Sequence, residues 1–238
     1  MKAESRKWKA IVTCEHGGNV IPRPYHHLFK GHGDLLAGHR GYDLGALGYA
    51  RKLAARLDAP LFSATTSRLL ADLNRTPGHP RLFSEMTRSL DGATKKTILE
   101  KYHRPHWQRV QAAIQESLKA GEWVVHIACH SFTPLLEGRE RTMDVGLLYD
   151  PRREAERRFC GRWKEALSDR APELRVRRNA PYKGMSDGLA THLRTLLPDN
   201  YLGIELELNQ RDFIENRARW RALCAAAVES LAVTLRGD

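Results

Sequence analysis

The chain has 238 residues, 42% of them apolar and 28% charged, which suits one large α/β domain or two small ones with a substantial core. It has no run of about 18 apolar residues, which excludes a membrane-spanning helix. The opening MKAESRKWKA lacks the apolar centre of a secretory signal, so the cytoplasm is the expected location. Basic residues outnumber acidic ones by 39 to 28, a net charge of +11 spread from Lys2 to Arg236. No helix-turn-helix, zinc-finger or RNP-like pattern accompanies this field, and attraction of small anionic substrates is as good a use of it as nucleic-acid binding.

Ala10 to Asn19 (AIVTCEHGGN) reads as a buried strand that stops at Glu15-His16 and enters a tight turn. Gly17 and Gly18 would let the backbone turn sharply and a ligand come close. The stretch from Asn19 to Tyr42 is irregular and rich in Gly, Pro and His, the kind of long loop that is usually functional or disordered. Asp43 then has the character of an N-cap for a helix whose Leu44, Leu47, Ala50, Leu53, Ala54 and Leu57 follow helical spacing. Ala59 to Ala64 is a second strand and Ser67 to Arg75 (SRLLADLNR) a further candidate element, followed by loop from Thr76 to Leu90.

Lys95 to Ala120 predicts a long helix that Pro105 bends or divides. Trp123 to Cys129 (WVVHIAC) is the strongest strand signal and runs into His130-Ser131. Val145 to Tyr149 is another strand, a basic helix covers about Arg152 to Ser168, and the alternating Leu174 to Arg178 suits an edge strand. Asp187 to Leu197 is a short helix, Tyr201 to Leu208 a strand, and Arg211 to Leu235 a closing helix. Strands alternating with helices predict a three-layer α/β fold, a mainly parallel twisted sheet with helices on both faces. No Pro/Gly/Ser linker divides it, so residues 1–238 read as one domain, with 1–8 a flexible tail. The four cysteines, Cys14, Cys129, Cys160 and Cys224, show no paired spacing and predict neither a disulfide framework nor a zinc ribbon.

Three of these strands end in similar chemistry: Glu15-His16, His130-Ser131, and Glu205, Glu207 and Asn209. Ligands in open α/β sheets sit at the carboxyl ends of strands, and residues two apart on a strand share a face. If the ends converge, two His and a carboxylate make a zinc-type site, with a further Glu free to act as general base toward water. His126, four residues before His130, suits a satisfied core histidine better than a ligand, and His103 and His106 a helix bend lined with aromatics.

The segments CEHGGNVIP, HRGYDLGA, SRLLADLNR, HIACHSFTP, DVGLLYDP, NAPYKG and ELELNQ occur in the order seen in the N-formylglutamate amidohydrolase (deformylase) family, over roughly Ala10 to Glu215. The chain resembles that family, which is itself related to the zinc carboxypeptidases and zinc amidases. The resemblance implies a zinc-exopeptidase-like fold and metal-dependent hydrolysis of an amide-type C–N bond. The implied substrate is N-formyl-L-glutamate, of histidine breakdown, or a close relative. It implies that His16 and His130 are metal ligands, with Asp43 preferred as the third. Asp43 keeps its alternative as a helix cap, and Glu15 is the other candidate ligand, although it and His16 would share an ion only through a turn. Glu207 matches the catalytic Glu, with Glu205 taking the role if the alignment slips by one strand repeat.

Arginine forks suit a carboxylated substrate, and Arg75, beside Asn74, is the preferred contact, with Arg68 or Arg141 second. No nucleophile elbow surrounds Ser131, which suits an oxyanion or supporting role. The partner expected is thus a small N-acyl amino acid carrying carboxylates, and the cofactor Zn2+. A peptidase or cell-wall amidase is the alternative within the chemistry. Outside it stand a basic anion- or nucleic-acid-binding domain and a phosphoesterase with two metals.

Overall fold

The computed structural model describes residues 7–237. Its strands are β1 (Trp8–Cys14), β2 (Leu61–Ser63), β3 (Trp123–Phe132), β4 (Leu135–Leu136), β5 (Arg139–Glu140), β6 (Val145–Leu148), β7 (Val176–Arg178) and β8 (Tyr201–Asn209). The helices are α1 (Gly33–Ala37), α2 (Ala46–Leu57), α3 (Gly92–Ile98), α4 (Arg104–Lys119), α5 (Glu154–Arg170), α6 (Leu189–Leu196), α7 (Arg211–Glu215) and α8 (Arg217–Arg236). Six strands form one sheet in the order β2-β1-β3-β8-β6-β7. Every neighbouring pair is parallel except β8 and β6, so the mainly parallel α/β architecture expected from the alternating pattern is present. Both edge strands are short, and the outer one, β7, carries Arg177 and Arg178 as expected of an edge.

Strand alternation divides the chemistry between the faces. On one face Val12 and Cys14 of β1, Val125, Ile127 and Cys129 of β3, and Leu202, Ile204, Leu206 and Leu208 of β8 join α2, α5 and α8 in the main apolar core. On the other, Ile11, Val124 and Tyr201 pack with Trp107, Val110 and Ile114 of α4 and Leu189 and Leu193 of α6. Farther along that second face the side chains turn polar. Residue pairing sets His130 of β3 beside Glu207 of β8 and Ala128 beside Glu205, at the carboxyl ends of these strands.

A third apolar cluster lies outside the sheet. Ile21, Tyr25 and Phe29 pack with Leu69, Leu70, Ala71 and Ile98. It shapes two segments that differ from their sequence patterns. The stretch after Asn19 contains a 3-10 helix over Arg23–Phe29 as well as α1. Ser67 to Arg75 forms neither helix nor strand: its leucines are buried, and Asp72 turns the chain by accepting from the Asn74 amide at 2.9 Å. The expected long helix is α3, a π-helical stretch over Leu99–His103, and α4 with Pro105 in its first turn. The closing helix divides at Asn216, whose side chain caps α8 at the Arg219 amide. Of the expected tail, residues 1–6 lie outside the described residues, while Trp8 already belongs to β1.

Two glycine positions decide how the first strand meets the site. A Cβ on Gly18 would lie 2.7 Å from the Thr65 carbonyl, so the turn after β1 is pressed against the chain leaving β2 rather than against a ligand. Gly45 takes the N-cap position of α2 with φ 78, and a Cβ there would meet the Phe213 and Trp220 rings at 2.6 Å. The helix therefore starts at Ala46, Asp43 is not its cap, and the Asp43 side chain is left to face the sheet.

Candidate active site

The end of β1, the turn before α2, the irregular 67–75 segment and the ends of β3 and β8 meet in one cleft of about 390 Å³. His16 and His130, 114 residues apart in sequence, have ring centroids 5.0 Å apart. Asp43 Oδ2 lies between them, 3.3 Å from His16 Nδ1 and 2.8 Å from His130 Nδ1. All three residues are buried, and each offers a ligand atom within 4.8 Å of the others. Atoms sharing a tetrahedral ion at zinc bond lengths of about 2.1 Å stand roughly 3.4 Å apart, so the contacts to Asp43 match such a site and the group as a whole is slightly open.

The far nitrogen of each imidazole faces another carboxylate. Asp72 Oδ1 lies 2.6 Å from His16 Nε2 and is held in turn by Arg68 at 2.7 Å. Glu15 Oε2 lies 3.4 Å from His130 Nε2, and the same carboxyl meets His106 of α4 at 3.3 Å through Oε1. Glu15 thus sits on the Nε2 side of His130, away from the group that His16 and Asp43 form with its Nδ1. The Asp72 hydrogen bond is of the kind that fixes the tautomer and orientation of a metal-binding histidine, whereas Glu15 Oε2 faces His130 as a charge without a hydrogen bond. Asp72 was not singled out by sequence, and His106 reads there as part of a helix bend lined with aromatics rather than as a site residue. Asp72 had a signal, since it stands two residues before Asn74 in DLNR, whereas His106 pairs with Glu15 only through the packing of α4 on the sheet.

Electrostatics follow from this crowding. Burial disfavours charge on Asp43, but the neighbouring His16 and His130 outweigh it and hold the carboxyl well below the usual range. Burial likewise opposes charge on Glu15, yet His106 and His130 hold it at about 2. Burial disfavours a proton on His130, but Asp43 and Glu15 retain it up to about 10. Glu207 behaves in the opposite way: burial, followed by repulsion from Asp43 and Glu205, pushes it up to about 8 against the pull of His130. Its Oε2 is buried and meets no hydrogen-bond partner. Glu205 by contrast accepts from Asn74 Nδ2 at 3.1 Å.

The remaining candidates separate. Asn74 lines the cleft, its Nδ2 also lying 3.4 Å from His130 Nε2 while its Oδ1 accepts from the Leu189 amide. Arg75 lines it too, with one guanidinium nitrogen on the Asn74 and Asp187 carbonyls and a buried Nε that has no partner. Arg68 is committed to Asp72 and, at 3.4 Å, to Asp43, so it braces the ligand group. Arg141 does not line the cleft; it donates to the Tyr182 hydroxyl at 3.0 Å, with its guanidinium over that ring. Ser131 lines the cleft, its Oγ donating to the Leu44 carbonyl and accepting from Gln210 Nε2 and its amide 3.4 Å from Asp43 Oδ2. His126 is a core residue, 2.9 Å from Thr13 Oγ1 and 2.8 Å from the Tyr201 hydroxyl, and burial lowers it to about 4.

The N-formylglutamate amidohydrolase family model matches residues 8–214. The chain belongs to that family. A solved structure of the gene product Atu2144 from Agrobacterium tumefaciens is 31% identical over 96% of this chain and 91% of that one, with a TM-score of 0.79. An N-formylglutamate amidohydrolase from Ralstonia eutropha JMP134 shares the fold at 16% identity, covering 97% of this chain and 94% of its own, with a TM-score of 0.69. No curated protein matches the sequence. Family membership supports a hydrolase of this kind.

A divalent metal fits the residues present. Two imidazoles and a carboxylate form the donor set of hydrolytic zinc sites, both imidazoles are backed by carboxylates, and an unpartnered Glu207 oxygen stands in the same cleft. Among the described residues one group of this kind is found. None of their helices is long and apolar enough to cross a membrane.

Proposed function

We propose that this chain is a metal-dependent amidohydrolase that cleaves a small carboxylated N-acyl amino acid, N-formyl-L-glutamate or a close relative, to the free acid and amine. The observation that carries this reading is the juxtaposition, in one cleft, of the His16-Asp43-His130 group with the unpartnered Glu207 carboxyl. His16, Asp43 and His130 would hold the metal, with zinc the identity the family resemblance favours. When bound, such an ion supplies Lewis-acid polarisation of the acyl carbonyl and makes water acidic enough to react near neutral pH.

Glu207 takes a proton from the attacking water as its oxygen adds to the acyl carbon. The same carboxyl then gives that proton to the amine nitrogen as the C–N bond breaks. Burial disfavours the charged form of Glu207 and so raises its proton affinity, which suits a group that accepts a proton and returns it. Asn74 fixes Glu205 and the edge of His130, and the free Nε of Arg75 supports a role in orienting a substrate carboxylate. Asp72 and Glu15 hold the two imidazoles from behind.

The test is a panel of N-formyl, N-acetyl and N-succinyl amino acids, with cell-wall peptides as competitors, each with and without chelator. Hydrolysis of N-formyl amino acids that chelation stops and zinc restores is the expected result. Full activity after exhaustive chelation refutes the metal role, and turnover of cell-wall peptides alone refutes the substrate class.

A further inference from the structure

A second cavity, of about 490 Å³, opens beside the catalytic cleft and shares Arg68, Arg75, Arg81, Leu136 and Tyr182 with it. Pockets of roughly 300–1,000 Å³ accommodate drug-sized ligands, so the cleft alone holds a single N-acyl amino acid and the neighbouring space is surplus to that substrate. The surplus space is cationic. Five arginines line it, Arg40, Arg68, Arg75, Arg81 and Arg88, against two carboxylates, Asp72 and Glu85.

Those carboxylates are already engaged, Glu85 by Arg40 at 2.6 Å and Asp72 by Arg68 at 2.7 Å. Arg75 is bonded to main-chain carbonyls, not to an acid. Among the described residues no carboxylate lies within ion-pair distance of Arg81 or Arg88, although Arg88 acts on Glu85 through space. His39 in the same wall reports the field: burial and then Arg40, Arg141 and Arg68 push its protonation downward. Phe83, Pro80 and Leu69 supply apolar wall between the guanidinium groups, a surface for methylene chains.

We infer that this cavity binds an acidic extension of the substrate, so that the preferred amide carries carboxylates beyond its first amino acid, as in an N-acylated acidic dipeptide. The inference rests on the cleft being an N-acyl amino acid site. It adds a specificity-determining surface, with Arg81 and Arg88 as its uncommitted cations. Unpaired guanidinium groups lining a concave wall focus their field inward and match carboxylates bidentately.

The test has a binding arm and a kinetic arm. The 238-residue chain, freed of metal by chelator dialysis, is titrated with glutamyl-glutamate and with glutaminyl-glutamine at low salt. The acidic dipeptide should bind at least tenfold tighter, the preference should fall below threefold in Arg88→Ala and reverse in Arg88→Glu, and 0.5 M salt should erase most of it. In the loaded enzyme N-formyl-glutamyl-glutamate should show a KM at least fivefold below that of N-formyl-glutamyl-glutamine at similar kcat. That gap should close in Arg88→Ala. Equal binding of the two dipeptides by the wild type, or a preference that survives Arg88→Glu, overturns the inference. Discriminating binding without turnover of any N-formyl substrate refutes the proposed reaction and leaves the arginine-lined pocket standing. Turnover of N-formylglutamate without discrimination does the reverse.

Discussion

Replacing Glu207 by Gln should cost the enzyme its activity while stabilising its metal-free form, increasingly so as pH rises. The carboxyl is buried beside Asp43 and Glu205 and raised from 4.5 to about 8. A folded-state value above the unfolded one means that ionisation opposes folding. The penalty is absent below about pH 4, grows between 4.5 and 8, and is complete above 8. At about 1.4 kcal/mol per unit, the shift sets a ceiling of about 5 kcal/mol. Gln keeps the shape without a charge, so it escapes this cost. Urea unfolding of wild type and Glu207→Gln at pH 5, 7 and 9, in excess chelator, measures the difference directly. We expect near equality at pH 5, a gain of a few kcal/mol for the variant at pH 9, and a fall in kcat of about 1,000-fold or more in the loaded enzyme. Loading with zinc should shrink the gain, since a nearby cation favours the carboxylate. A stability difference that does not change with pH would refute the reasoning about burial.

Metal analysis should find one zinc per chain, lost in His16→Ala and in His130→Ala. His130 holds a proton up to about 10 and a ligand must give it up, so calorimetry at pH 7.5 in buffers of different ionisation enthalpy should show net proton release on zinc binding. Asp72→Asn and Glu15→Gln, which loosen one imidazole each, should weaken zinc affinity by about 10–100-fold in chelator competition. Trp163→Ala should lower unfolding stability by about 3–5 kcal/mol: the ring is fully buried in the main core and its Nε1 donates to Ser230. An effect below 1 kcal/mol would show that the core collapses around it.

Most element types, the mainly parallel sheet and the convergence of strand ends were legible because they follow from apolar alternation and from the rule that ligands gather at carboxyl ends, whereas the order of the strands was not. His16 and His130 could be picked out for that reason, each standing where an apolar run stops. Asp43 was ambiguous because an Asp before a helix is chemically suited to both cap and ligand; the sequence holds Gly45, but only the rings of Phe213 and Trp220 show why that glycine, and not Asp43, starts the helix. Asp72, His106 and the loop cluster under them were not legible as partners, since their contacts span 56 and 91 residues and depend on tertiary packing. Arg68 and Arg141 show the same limit. Both are arginines near motif segments, yet one braces carboxylates and the other stacks on tyrosine.

The two imidazoles are anchored in parts of the molecule with different resistance to opening. His130 belongs to a central strand paired on both sides, whereas His16 follows the end of its strand and leans on Asp72, in a segment without helix or strand, held by a small apolar cluster outside the sheet. Segments of that sort exchange their amide hydrogens through local fluctuations, long before a central strand does. An ion gripped by both histidines would staple the loop layer to the sheet, slowing exchange over residues 67–75 while leaving β3 unchanged. The outer layer would then owe its order to the cofactor as much as to its own leucines.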